Sequence, residues 1–289
     1  MPPRRQPMLE WHQTAALPRV GPLVLAVANE KGGVGKTTLA AHLIAAMLEA
    51  GLGVGVIDID ARQKSTGQWW TNRALAGRRA GLPAVMLESI RPTYLPDRRQ
   101  SETQDLELLL AAIRSQIEHG ARVVVIDCPG ADSFLAEVAL TSADILVTPV
   151  GASPLDLDLL ARFDAERREY REASVFTEAV AAARVRREDG FGAGSPIAPL
   201  RWFVAVNRLR PDENPATLRP VADLHALSGR LGFAVIPGLR ERPVYRDLWR
   251  EGLTVFDLNL RSTPDARPAR GEVRALLRAL NIPALARKL

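Results

Sequence analysis

Leu23-Val24-Leu25-Ala26-Val27-Ala28-Asn29-Glu30-Lys31-Gly32-Gly33-Val34-Gly35-Lys36-Thr37-Thr38 runs from an apolar stretch of strand length through a glycine turn into a lysine and two threonines. Behind it Leu39, Leu43, Ala46, Met47 and Ala50 recur at helical spacing until Gly51. Strand, glycine loop and helix in that order aim the free N–H groups of a helix N-terminus at the loop, an arrangement suited to phosphate. Glycines let further N–H groups converge on phosphate oxygens, the lysine neutralises them, and the hydroxyl after it reaches Mg²⁺.

The common spacing G-x-x-x-x-G-K-[ST] fails here, because Glu30 stands where its first glycine belongs and Lys31 is one cation more than a single nucleotide needs. The run instead resembles the deviant Walker A form x-K-G-G-x-x-K-[ST] of the ParA/MinD superfamily of ATPases. That resemblance implies ATP and Mg²⁺ as cofactors and a homodimer when ATP is bound. Lys31 would then cross to the partner's nucleotide, as an arginine finger does in trans.

Two more strand ends carry carboxylates. Val54-Gly55-Val56-Ile57-Asp58 continues into Ile59-Asp60-Ala61-Arg62-Gln63, and Val123-Val124-Val125-Ile126-Asp127 continues into Cys128-Pro129-Gly130. Carboxylates at the C-terminal ends of strands sit at the edge where open α/β sheets hold ligands. Asp60 is placed to meet Mg²⁺ or an attacking water, although Asp58 and Asp60 would also suit the cap of a helix starting near Ser65. Asp127 can hold a water of the metal shell, and the Pro-Gly turn after it can move with the γ-phosphate. The second stretch looks like the superfamily's Walker B sequence, with Cys128 where a hydroxyl residue is usual. A lone cysteine there reads as a small core residue.

Strand-like runs alternating with helical patterns predict an α/β fold, a mostly parallel twisted sheet covered by helices on both faces. Residues 1–21, with Pro2, Pro3, Arg4, Arg5, Pro7 and Pro18, read as a flexible leader before a single domain over 22–289. Helices are expected over 66–81, 105–119 and 270–280, and one whose face carries Leu155, Leu159, Leu160 and Phe163; 92–104 reads as a loop and 185–199 as a basic, mobile connection. Trp69 and Trp70, among arginines, are expected to pack a surface helix onto the core.

The chain has 289 residues with 38 basic and 33 acidic side chains, net +5, a mild excess that indicates nucleic acid only where it clusters. One cysteine excludes a disulfide framework and an all-cysteine metal site of this chain alone, and with it a reductase whose cluster needs two cysteines per subunit. No apolar run is long enough for a signal core or a membrane span, so a cytoplasmic protein with no membrane partner is expected. The apolar stripe Val273, Leu276, Leu277 and Leu280 near the C-terminus, interrupted by Pro283, reads as core packing rather than a membrane-binding helix.

Within the superfamily, Asn29 to Gly33, Asp58 to Gln63 and above all Gly238-Leu239-Arg240-Glu241-Arg242-Pro243-Val244-Tyr245-Arg246-Asp247-Leu248 with Gly252-Leu253-Thr254 resemble the MipZ branch, over about Val24 to Leu280. That branch places the division plane in alphaproteobacteria. The likeness implies a monomer that binds a ParB-like centromere-binding protein, and an ATP dimer that binds double-stranded DNA without sequence preference and blocks FtsZ polymerisation. Slow hydrolysis would reset the dimer, and the protein would associate with the nucleoid and be enriched at the poles. By the same resemblance Gly32, Gly33, Val34, Gly35, Lys36, Thr37 and Thr38 hold the phosphates, with Thr37 on the metal. Asn207, at a strand end, reads the adenine beside Pro237, and Arg219, Arg240 and Arg242 face DNA, with a solvated face or salt bridge as their other reading. A partition ATPase moving chromosome or plasmid cargo is the alternative. A ligase or reductase on the same fold would need a pocket or cluster ligands that the sequence does not display.

Overall fold

The computed structural model describes residues 22–59, 64–80, 85–130, 133–163, 170–189, 198–258 and 264–285. In chain order these form β1 (Leu23–Val27), α1 (Lys36–Glu49), β2 (Val54–Asp58), α2 (Lys64–Ala80), β3 (Met86–Ser89), α3 (Arg98–Glu118), β4 (Val123–Asp127), α4 (Phe134–Ser142) and β5 (Ile145–Val150). There follow α5 (Pro154–Leu157), β6 (Ala161–Phe163), β7 (Tyr170–Ala173), α6 (Val175–Glu188), β8 (Arg201–Val206), α7 (Arg219–Leu231), β9 (Ala234–Pro237), α8 (Pro243–Trp249) and α9 (Ala266–Ala279).

Seven strands form one parallel sheet in the order β3-β2-β4-β1-β5-β8-β9, as the alternating pattern predicts. Every residue of β2, β4 and β5 is buried, which is why those strands read as continuous apolar runs rather than alternating ones. One face is covered by α3, α4, α6 and α7, through Leu109, Ile113, Val138, Val180 and Leu224. The other is covered by α1, α2, α8 and α9, through Leu43, Trp69, Leu248 and Leu276. From β1 the chain continues to one side of the sheet in β2 and later to the other in β5, so the loop after β1 lies at a topological switch point, where such sheets bind ligands.

The tryptophans pack as expected, Trp69 and Trp70 being 2% and 4% exposed. Val273, Leu276, Leu277 and Leu280 are fully buried, which accounts for the C-terminal stripe within the core. No helix among the described residues is long and apolar enough to cross a membrane.

Three expectations are corrected. Helix α3 starts at Arg98, seven residues before the predicted start, because Asp97 caps it by accepting from the Arg99 N–H at 2.8 Å, and its first two turns face solvent without an apolar signal. The helix predicted around Leu155 to Phe163 is instead the single turn α5 followed by the antiparallel pair β6–β7. The carbonyls of Leu159 and Leu160 accept from the hydroxyls of Ser174 and Thr177 at the start of α6, which draws the chain out of helical pairing. Val185 to Glu188 belong to α6 rather than to a mobile connection, and residues 190–197 lie outside the described residues, as does the leader 1–21.

Candidate nucleotide site

The loop between β1 and α1 turns on Gly33 at φ +77° and Gly35 at φ +91°, left-handed conformations that cost other residues. Asn29, buried at the end of β1, anchors it from beneath: its Oδ1 accepts from the Lys31 N–H at 2.8 Å and its Nδ2 donates to the Pro149 carbonyl at 2.6 Å. The Lys36 ammonium bends back over the loop to donate to the Lys31 carbonyl at 2.9 Å. Gly130, in the Pro-Gly turn after β4, closes on the same place, since a Cβ there would lie 3.2 Å from both the Glu30 oxygen and Lys36 Nζ. Val34 is buried, while a Cβ on Gly32 or Gly33 would meet nothing among the described residues within 4 Å. The outer face of the loop is therefore open.

Lys31 sits on that open face, its side chain 41% exposed, and its ammonium pairs with Asp156 Oδ1 at 2.7 Å. Asp156, on α5, also accepts from the Ser153 hydroxyl at 2.6 Å. In the single chain the extra lysine is thus held in cis, by an acid that sequence reasoning missed because it lies 125 residues away.

Beside the loop, Asp58 and Asp127 are register partners at the ends of β2 and β4, 5% and 1% exposed. Carboxylates at these neighbouring strand ends, and the hydroxyl of Thr37 in the first turn of α1, are oxygen donors of the kind that Mg²⁺ takes. Asp60, predicted to orient water and meet the metal, lies outside the described residues. Cys128 is 1% exposed and its thiol points at the Ile126 carbonyl, the behaviour of a small core residue.

A cavity of about 220 Å³ opens from Gly33, Gly35 and Thr38 toward Asn207, Leu239 and α8. Asn207 is 3% exposed and ties the site together: its Nδ2 donates to the Val34 carbonyl at 2.7 Å and its Oδ1 accepts from the Leu239 N–H at 2.8 Å. One donor and one acceptor of the amide predicted to read adenine are thereby used to fasten the loop to the segment after β9. Pro237 ends β9 opposite Val206 and is exposed at the same edge.

The three arginines expected to face DNA divide. Arg219 is exposed at the start of α7. Arg240 Nη1 instead donates to the carbonyls of Arg210, Pro211 and Glu213. Arg242, its side chain 12% exposed, pairs with Glu272 at 2.7 Å and Asp265 at 3.1 Å. In the single chain both guanidinium groups are engaged, that of Arg242 by the carboxylates Asp265 and Glu272 and that of Arg240 by the 210–213 carbonyls. Arg208, not singled out by sequence, bridges the Gly33 carbonyl at 2.8 Å and Glu241 at 3.5 Å.

Sequence also gave no signal for His42, on the buried face of α1. Its Nε2 accepts from the Val255 N–H at 3.3 Å, so the proton is assigned to Nδ1, which donates to the Thr38 carbonyl at 2.8 Å. Burial holds its pKa down to about 4. Tyr245, 4.9 Å from that ring, has its phenol pushed above the usual range by burial and by the Glu272 carboxylate.

Comparison with known proteins matches residues 23–284 to the family described as ATPase MipZ. The maintenance of carboxysome distribution protein A of Halothiobacillus neapolitanus is 28% identical over 256 residues, covering 88% of this chain and 94% of that protein. Its namesake in Gloeobacter kilaueensis is 33% identical over 140 residues, covering 48% of this chain and 54% of that one. Among solved structures, the septum site-determining protein MinD of Pyrococcus horikoshii, complexed with Mg-ADP, superposes with a TM-score of 0.54 at 19% identity, over 91% of this chain and 97% of that one. At that identity the superposition speaks for the fold.

Proposed function

Because the chain belongs to the MipZ family of ATPases, we propose that it is an ATP-driven dimer switch that positions the division plane. In this reading the monomer binds a ParB-like centromere-binding protein. The ATP dimer binds DNA without sequence preference and blocks FtsZ polymerisation, and hydrolysis returns it to monomers. It would work in the cytoplasm, on the nucleoid, with enrichment toward the poles.

The observation that carries the reading is the open outer face of the phosphate loop: a Cβ on Gly32 or Gly33 would meet no atom of the described residues within 4 Å, and Lys31 stands beside them half exposed. A cation and bare backbone next to a phosphate site are what a second subunit requires for close approach. The N–H groups of Gly32, Gly33, Gly35 and Thr38 would hold the phosphates, and Lys36 would leave the Lys31 carbonyl to neutralise the β/γ oxygens. Lys31 would exchange Asp156 for the neighbour's triphosphate and stabilise charge there in trans. Mg²⁺, when bound, adds positive charge against the phosphate oxygens, with Thr37, Asp60 and, through water, Asp127 as its protein donors. Asp60 would orient the attacking water. Arg219, with the exposed Arg246 nearer the cavity, would supply phosphate contacts, so DNA affinity would fall steeply with salt.

The deciding experiment is FtsZ pelleting with and without this protein and ATP. Loss of polymer with ATP alone is expected; unchanged polymer together with transport of ParB-bound DNA would make it a partition ATPase. Asp60→Ala is expected to trap an ATP dimer on DNA and Gly33→Val to leave a monomer. Because φ is positive at Gly33, Gly33→Asn is the control for backbone strain. Equal dimerisation of Asp60→Ala and Gly33→Val in sedimentation with ATP would overturn the switch.

A further inference from the structure

The cavity beside the phosphate loop has two unlike walls. One is the loop and first turn of α1, at Gly33, Gly35 and Thr38; the other is α8, at Tyr245, Arg246 and Trp249. At about 220 Å³ it is smaller than the pockets of roughly 300–1,000 Å³ that enclose drug-sized ligands, a size suited to one planar base with its sugar. It also begins where the cradle ends. Thr38 follows Lys36 and Thr37 on α1, so a ligand whose phosphates lie on the loop has this cavity for its remaining part.

The aromatic rings of the α8 wall differ in availability. Tyr245 is 7% exposed, its hydroxyl donates to Glu272 at 3.2 Å, and its ring is in edge contact with His42. It is a support. Trp249 is half-buried, and its ring stacks at 5.8 Å and 30° on Trp69 of α2, which is itself 2% exposed and braced edge-on by Trp70. The segment behind it is fixed as well. Asn72 donates to the Arg250 carbonyl at 2.8 Å, and Gly252, at φ +67°, lets the α2 backbone approach so closely that a Cβ would lie 2.2 Å from Arg73 N. A ring held in this way loses little freedom on binding a ligand. An aromatic plane among arginines is the chemistry that stacks nucleobases.

We propose that Trp249 contacts the base of the bound nucleotide and sets the base-dependent part of its affinity, an inference that rests on the nucleotide reading above. The phosphates are held by the loop whatever the base, while the base meets an indole backed by α2. Occupancy of the cavity therefore bears on the helix that follows the Asp58 strand, through the contact between Trp249 and Trp69.

The first test uses the unmodified protein. Photolysis with 8-azido-ATP and peptide mapping is expected to place the label within 243–250; label confined to other segments overturns the proposal. The second compares ATP with inorganic tripolyphosphate by calorimetry in wild type, Trp249→Leu and Trp249→Phe. Trp249→Leu is expected to weaken ATP about tenfold with tripolyphosphate unchanged, and Trp249→Phe to restore most of the loss. Equal weakening of both ligands, or of neither, sinks the role of Trp249 while leaving the ATPase reading intact. A wild-type protein that binds neither ligand counts against the nucleotide reading itself. Should Trp249→Leu fail to fold, Trp249→Phe and the labelling pattern decide.

Discussion

Two ion pairs of the molecule differ in burial. Lys31–Asp156 lies on the open face of the loop, its lysine 41% and its acid 11% exposed, whereas Arg73–Asp257 joins α2 to the turn after α8 with side chains 7% and 6% exposed. A pair whose lysine is open to water lies nearer the surface-pair range of about 0–1 kcal/mol, and that lysine can be exchanged for another partner at little cost. Breaking a buried pair leaves a charge stranded in a low-dielectric interior, at a cost of about 3–5 kcal/mol. The difference separates what can switch from what must stay: Lys31 is free to trade one anion for another, and α2 is clamped.

The largest expected effect tests the clamp. Asp257 accepts from both Nη1 and Nη2 of Arg73, and also from the Thr254 N–H at 2.7 Å and hydroxyl at 2.8 Å. Asp257→Ala should therefore lower unfolding stability in urea by about 3–5 kcal/mol. A loss below about 1 kcal/mol would place this pair in the exposed class and remove the contrast.

Next comes His42, whose Val255 contact adjoins the same turn. Its folded pKa of about 4 lies below the unfolded 6.5, so the unfolded chain takes up a proton that the fold refuses. Stability is complete above pH 6.5 and falls as pH drops toward 4, by about 3 kcal/mol at pH 4. Burial is the main cause, with Asp257 and Arg73 acting in opposite directions. Urea midpoints between pH 7 and 4, taken as the difference between wild type and His42→Gln, isolate this contribution from the carboxylates. Parallel curves would show that the ring protonates within the fold.

What was legible in the sequence was whatever one strand and its next few residues contain. Lys31, Gly33, Lys36 and Asp127 were readable because strand, turn and helix place them without help from the rest of the chain. The clamp was not, since Arg73 and Asp257 are 184 residues apart and meet only once α2 and the turn after α8 pack on the same sheet face. Asn29 read as the end of a strand, and its anchoring of the loop depends on β5 lying beside β1. The ion pairs of Arg242 were not legible, because its partners Asp265 and Glu272 are more than twenty residues further along the chain. The hairpin after α5 was missed because Leu155, Leu159 and Leu160 have helical spacing, which hydroxyls of the following helix override.

The smallest expected change in stability bears most directly on the switch. Asp156→Asn keeps an oxygen to accept from Ser153 and removes the charge that holds Lys31, so unfolding stability should change by no more than about 1 kcal/mol. Dimerisation should respond more. If Lys31 must leave Asp156 before it can meet a neighbour's triphosphate, the cis pair opposes assembly by whatever it is worth. Neutralising the acid then moves the ATP-dependent monomer–dimer midpoint to severalfold lower protein concentration, read by sedimentation with ATP present. A midpoint that moves upward would mean instead that Asp156 supports the dimer by orienting Lys31. The same variant thus distinguishes a lysine stored in the monomer from one aimed at the partner, and a buried pair such as Arg73–Asp257, too costly to break during a cycle, offers no such choice.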